Sequence, residues 1–230
     1  SIIARYGIFK AGSTLDSIII EHNGTEHIIP CLRQQQLKPS SDAPYYALND
    51  FIKPSLNGRP SDFITLFAVS AGHEIANRIA AYQTHNDSYH TLLLQSLADR
   101  LVEAATEWLH YKIRTELWAY SPNETIDKLT ASKPYIGIRP AIGYPSLPDQ
   151  SLIFSLDKLI GIQDAGIYIT PNGAMRPAAS IAGMMIAHSA ARYFAINHID
   201  DTQYNRYCNA RQFTSQQAHK WLGTLYNDTK

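Results

Sequence analysis

Between Asp87 and Tyr120 the chain runs without a glycine or a proline, and from Pro140 to Pro148 it then carries three prolines and one glycine. The first stretch is open to a long helix. The second permits neither a helix nor a central strand, because each proline locks φ and removes a donor. Leu94, Leu97, Leu101, Ala105, Trp108 and Tyr111 recur at steps of three and four, the spacing of one helical face. Asp87 or Ser88 suits the N-cap. The pattern predicts a helix of about 32 residues, ~48 Å long at ~1.5 Å per residue, with that row facing the core. Asp99, Arg100, Glu103 and Glu107 lie off the row and read as a solvated face.

The segment from Gly137 to Asp149 reads G-I-R-P-A-I-G-Y-P-S-L-P-D. Residues before proline are pushed toward extended geometry, so this loop has few accessible shapes. It carries a guanidinium, Arg139, and a phenol, Tyr144. It is either a plain connection or a stiff cradle for a ligand with a carboxylate and a cationic or planar part.

Elsewhere the signals are mixed. Ser17–His22 and Glu26–Ile29 flank Asn23-Gly24, the strongest short hairpin signal. Phe63–Val69 reads as a strand buried on both faces. Loops are expected at Pro39–Pro44 and Pro54–Ser61. A short helix is expected near His73–Gln83, another over Ser155–Ile162, and a strand over Gly166–Thr170. Strands follow at Ser180–Ala187 and Tyr193–Ile199, then a helix from Thr202 to about Arg211. Thr214-Ser215-Gln216-Gln217 matches a capping box, with Gly223 as a stop. Segregated strands and helices predict an α+β fold: a curved antiparallel sheet flanked by helices, one of them long and central.

The chain has 230 residues, 45% of them apolar, enough for a substantial core; 20 basic and 20 acidic residues cancel. That balance supplies no basic field for nucleic acid. The longest nearly apolar run, Pro177–Ala187, is far short of the ~20 residues that span a bilayer, so no membrane segment is expected. Cys31 and Cys208 form neither a redox nor a zinc spacing, which suggests a soluble protein of a reducing compartment, the cytoplasm. No nucleophile elbow, phosphate loop, dinucleotide fingerprint or zinc-protease motif occurs. His22 and His27 sit at the two ends of the hairpin and can approach each other, but they read as exposed strand residues, and no metal is expected. His188 and His198 read as structural.

Taken together in order, several segments resemble the C-terminal activation domain of cobalamin-dependent methionine synthase. They are Tyr45–Ile52, Leu66–Val69, Asp87–Tyr89, Leu97–Ala104, Glu116–Tyr120, Gly137–Ala141, Gly143–Pro145, Ala179–Gly183, Arg192–Ala195 and Trp221–Gly223. The likeness covers nearly the whole chain, and the R-P-A-x-G-Y-P element is its most specific part.

The resemblance implies one domain over 1–230, without the family's N-terminal segment. It implies S-adenosylmethionine as ligand, cobalamin carried by a partner domain, and flavodoxin or a flavin reductase as electron donor. The implied role is reductive reactivation of cobalamin in methionine biosynthesis, as part of a methyltransferase system and not as a complete enzyme. Arg139 matches the family's ligand-binding arginine, which suits the methionyl carboxylate. Ala141 and Gly143 let the loop backbone approach the ligand, and Tyr144 lines the groove near the sulfonium. Tyr193 and Phe194 match a second contact segment beside adenine or ribose, though both also suit a strand core. Asp99 and Glu103 match acids that face the cobalamin-binding domain. No catalytic side chain is implied, since methyl transfer from a sulfonium moves no proton.

The chain departs from the family after Pro148, where an acid followed by H-T-E-K is expected and Asp149 is followed instead by Gln150-Ser151-Leu152-Ile153. Ile75 stands where an acid is expected beside Glu74. These departures leave open a second reading, a docking module for a cobalamin-binding protein that no longer binds S-adenosylmethionine.

Overall fold

The computed structural model describes residues 1–37, 43–125 and 135–226; the loop expected at Pro39–Pro44 lies mostly outside them. The fold is α+β. Its strands are β1 (Ile3–Ser13), β2 (Ser17–His22), β3 (Thr25–Pro30), β4 (Asp62–Ser70), β5 (Tyr168–Ile169), β6 (Met175–Arg176) and β7 (Ser180–Met185). Five of them form an antiparallel sheet in the order β3-β2-β1-β4-β7, and β5 pairs with β6 apart from it. The helices are α1 (His73–Thr84), α2 (Ser88–Lys112), α3 (Leu152–Ile160), α4 (Asp201–Arg211) and α5 (Ser215–Leu222).

Asn23 and Gly24, at φ 50° and 72°, close the β2–β3 hairpin as its sequence predicts. The expected approach of His22 and His27 also occurs, with ring centroids 6.4 Å apart. β4 is buried from Ile64 to Ser70. Ile64, Leu66 and Ala68 meet Ile18, Ile20, Leu152 and Leu156 in one core. Phe67 and Val69, on the other face, meet Ala98, Val102, Leu109 and Ile113 of the α2 segment. The central strand is therefore sandwiched between α3 and α2, which explains its run of apolar residues, interrupted only by Thr65. A third core gathers Leu32, Ile196, Ile199, Tyr207 and Leu222 beneath α4 and α5.

The long helix differs from its expectation in two ways. Asp87 caps it, accepting the His90 amide at 3.0 Å. Yet the α-helical part holds 25 residues, followed by one π turn at Ile113–Leu117. The Trp118 and Ala119 amides both return to the Ile113 carbonyl at 3.0 Å, and Ala119 adopts φ 59°. No glycine or proline marks that end. It coincides with the burial of Arg114, which pairs with Glu124 across the turn.

The buried row is also offset. Ala98, Val102, Thr106 and Leu109 face inward, while Leu97 and Trp108 are each 51% exposed. The helix lies against β4 and β7, and Ala98, Val102 and Thr106 allow a closeness that a row of leucines and tryptophan would prevent. Both rows have helical spacing, so period alone does not choose between them.

Two smaller corrections apply. The helix expected over Ser155–Ile162 runs from Leu152 to Ile160 and stops at Gly161, which is left-handed at φ 61°. The strand expected at Tyr193–Ile199 is irregular. Its backbone groups bond to side chains and to the proline-rich loop instead of a ladder. Phe194 N–H donates to Ser146 Oγ at 3.1 Å and Ile196 N–H to the Pro145 carbonyl at 2.9 Å. The Ala195 carbonyl accepts from Gln34 and Gln36.

The proline-rich loop lies along the outer edge of β7. Ile138 and Ile186 exchange backbone hydrogen bonds at 3.0 and 2.9 Å; Met184 N–H donates to the Pro140 carbonyl at 3.1 Å, and Ile142 N–H to the Ala182 carbonyl at 2.9 Å. Pro140 contributes only its carbonyl to the pairing, because it has no amide hydrogen to give. Gly183 makes this approach possible: a Cβ there would stand 2.3 Å from the Pro140 carbonyl oxygen and 2.8 Å from the Ala141 Cα. Both are backbone atoms, which cannot swing aside. Gly183→Ala is expected to push the loop off β7 and to destabilise the protein by ~1–3 kcal/mol, measured as a lower urea midpoint with an unchanged m-value.

Candidate functional site

The edge-paired loop forms one wall of a groove of about 550 Å³, within the ~300–1,000 Å³ typical of small-molecule sites. Phe67 of β4 and Ile181 of β7 contribute to its lining, as do Glu103 and Thr106 of α2. Arg139 to Ala141 and Tyr144 to Ser146 come from the loop, and Tyr193 to Ala195 from the irregular segment. Ser146 ties the last two together, bonding the backbone of Phe194. Tyr193 adds a second tie, its hydroxyl accepting the Arg139 amide at 3.0 Å. Burial pushes the Tyr193 phenol up, so it stays protonated near neutral pH.

Of the residues singled out in the sequence, Arg139, Ala141, Tyr144, Tyr193, Phe194 and Glu103 line this groove. Gly143 does not. It turns the loop at φ 82°, and its amide donates to the Leu147 carbonyl at 2.8 Å. Asp99 lines a different groove, of about 610 Å³, between α1, α2 and the Arg176–Ala179 segment. The departure after Pro148 falls on the structural side of the loop. Asp149, 1% exposed, accepts the Tyr207 hydroxyl at 2.8 Å, and Leu152 and Ile153 open α3 inside the core. Gln150 donates to the Gly173 carbonyl at 2.7 Å.

Beneath Arg139 lies a polar cluster that the sequence reading missed. Glu107 and His110 of α2 and Arg114 of the π turn stand at i, i+3 and i+7, beside the buried row. Arg114 is fully buried and pairs with Glu124 through two bonds, of 2.8 and 2.6 Å. Its guanidinium stacks 4.0 Å from the centre of the Tyr135 ring. Glu107, expected on the solvated face, instead forms an ion pair with Arg139. Arg139 also donates through Nη1 to the Tyr135 hydroxyl and lies 3.4 Å from His110 Nδ1. Burial works against the Arg139 charge, but Tyr135 and Glu107 outweigh it and hold the guanidinium above its ordinary range. The signal was present in the sequence as three polar residues in helical register, hidden by the choice of the adjacent row.

His110 is 0% exposed. Its Nδ1 faces a guanidinium that can only donate, so the network assigns the neutral tautomer with Nε2–H toward the Tyr120 hydroxyl, 3.1 Å away. Tyr120 in turn donates to the Ile136 carbonyl at 3.3 Å. Burial, then Arg114 and Arg139, holds the His110 pKa well below the usual histidine value. Among the described residues no group of three His, Cys, Asp or Glu side chains is placed to hold a metal. Cys31 and Cys208 are buried and free, and burial pushes the Cys31 thiol up to about 12, which leaves it unreactive. No described helix is long and apolar enough to cross a membrane.

The depressed histidine has a consequence for stability. The unfolded chain takes up a proton below pH ~6.5, whereas folded His110 stays neutral. Stability should therefore fall as pH drops below ~6.5, by up to ~1.4 kcal/mol per unit from this group. His110→Gln should flatten that part of the profile, measured by urea unfolding between pH 7.5 and 5.

An antiparallel sheet with a ligand-sized groove between an edge-bound loop and a long helix makes this an α+β domain with room for a small molecule. Residues 1–212 match the family described as vitamin B12 dependent methionine synthase, activation domain, and the chain belongs to that family. Its fold is similar to the crystal structure of the MetH reactivation domain bound to AdoHcy, with a TM-score of 0.88 and 32% identity over 96% of this chain and 69% of that one.

Proposed function

We propose that the groove binds S-adenosylmethionine and that the domain presents it to a cobalamin-carrying partner for reductive reactivation within a methionine synthase system. The observation that carries this reading is the convergence of Arg139, Ala141, Tyr193 and Phe194 on one groove of about 550 Å³. The similar domain holds AdoHcy, the demethylated form of the proposed ligand. When bound, the ligand supplies an electrophilic methyl group on a sulfonium. The chain's own residues hold it. Arg139 takes the carboxylate through charge-assisted bonds, Tyr193 and Phe194 flank the adenosine, and Tyr144 stands at the rim beside the sulfonium. Because the loop is paired to β7 and fixed by its prolines, little order is lost on docking.

Fit is supported by the donor inventory of Arg139. Among the described residues no partner meets its Nε–H, so the guanidinium retains a donor for a ligand acceptor. Calorimetric titration with S-adenosylmethionine is expected to show saturable binding, weakened about 10–100-fold by Arg139→Ala, the loss of a hydrogen bond to a charged group. Absence of heat at high protein concentration would sink the reading.

The exposed side of α2 favours a docking role in the same system. Asp99 and Glu103 lie on the flank of the helix that lines the grooves, whereas Leu97, Leu101 and Trp108, 37–51% exposed, share the opposite face. We assign this apolar face to the cobalamin-binding domain, with electrons arriving from flavodoxin or a flavin reductase in the cytoplasm. Leu97→Glu should abolish retention of a methionine synthase cobalamin-binding domain in a pull-down while leaving ligand binding intact. Retention unchanged by Leu97→Glu would move the docking face elsewhere. A domain that retains the partner but binds no ligand would instead be the docking module.

A further inference from the structure

We infer that Glu107, with His110 and Tyr135, positions Arg139 so that its Nε edge is offered to the carboxylate of the ligand. The inference rests on the groove being the ligand site. A guanidinium has five N–H donors in one plane, and its useful direction depends on which are taken. In this chain the far end is occupied. Nη1 serves the Tyr135 hydroxyl and faces His110 Nδ1, and Nη2 faces Glu107. Nε is the nitrogen that no described residue meets.

The three holding groups are themselves held. Glu107 and His110 sit on α2, one helical turn apart, with Thr106 and Leu109 beside them in the buried row. His110 is fixed on its other side by Tyr120, and through it by the Ile136 carbonyl. The Tyr135 ring meets the His110 ring edge-on at 5.3 Å and lies under the Arg114 guanidinium. Every contact on the far end of Arg139 thus traces back to the helix or to the buried Arg114–Glu124 pair. A long, flexible side chain becomes a fixed fork, which lowers the ordering cost of ligand binding.

Glu107 has a second feature. Its Oε1 is buried without a hydrogen-bond partner among the described residues. A carboxylate with one oxygen unsatisfied is a poor stabilising device, and its retention beside Arg139 fits a role in aiming that residue. A competitor role makes the opposite prediction. If Glu107 merely occupied the fork in place of the ligand, neutralising it would tighten binding.

The test compares S-adenosylmethionine with 5′-methylthioadenosine, which keeps the adenosine and the S-methyl group but lacks the sulfonium charge and the amino-acid chain with its carboxylate. Glu107→Gln is expected to weaken S-adenosylmethionine about tenfold and to leave methylthioadenosine within about twofold. In an Arg139→Ala background it should have no further effect, because its influence passes through that side chain. Equal losses for both ligands, no loss, or tighter binding of S-adenosylmethionine would each overturn the inference. Should Glu107→Gln fail to fold, Tyr135→Phe removes one of the three contacts without charge and is expected to act in the same direction. If wild-type protein binds neither ligand, the groove reading itself fails and the inference falls with it. If wild type binds both and only the Glu107 result is wrong, the groove reading stands alone.

Discussion

Backbone pairing between the Ile138–Ile142 segment and the edge of β7 is the contact on which the site depends. It closes one side of the five-stranded sheet, so that a ready template for aggregation is covered. It does so with a segment that cannot be a regular strand, because Pro140 lacks an amide. The pairing therefore survives only at its two ends and at the Pro140 carbonyl, and the side chains between are free to do something else. Arg139 points away from the ladder toward α2, and Ala141 faces the groove. Gly183 is the one position on β7 where the two backbones come too close for a side chain. Site geometry and sheet edge are thus the same structure.

The second constraint is electrostatic. Arg114 and Arg139 bring two positive charges to the helix–loop junction, matched by Glu124 and Glu107, with His110 held neutral between them. Such a cluster contributes little net stability. Removing one partner of a buried pair typically costs ~3–5 kcal/mol, yet replacing the whole pair with apolar residues is often neutral. What the cluster does give is direction. Arg114 and Glu124 link α2 to the chain beyond the π turn, and Tyr135 carries that link to Arg139.

Much of the fold was legible in the sequence because its signals were local. Asn23-Gly24 demanded a particular turn, Asp87 offered a cap, and the largely apolar β4 read as a strand covered on both sides. The errors share one physical origin, in that tertiary contact chose between options that local spacing left equal. Two adjacent rows on α2 have the same period, and the small one won because the helix sits close on the sheet. Tyr193–Ile199 has strand-forming residues, but its backbone groups were claimed by Ser146, Gln34 and Gln36, whose positions no local pattern reveals. At the site, the loop residues stood out by composition and by family resemblance, and most of them meet at one groove. Glu107 and His110 did not stand out, because a carboxylate and an imidazole on a helix look alike whether they face water or a guanidinium.

The offset of α2 has a consequence that reaches past the fold. A helix that placed its leucines inward would stand further from β4 and β7, and Thr106 and Glu107 would be carried away from the loop with it. Packing through Ala98, Val102 and Thr106 instead brings the helix backbone in, so that the short reach of Glu107 suffices to meet Arg139. The same rotation turns Leu97, Leu101 and Trp108 outward. Exposing large apolar side chains carries a solubility cost that a helix with no further role would have no reason to bear. One rotational choice therefore sets the depth of the groove, aims its cation, and leaves an apolar face on the opposite flank of the helix.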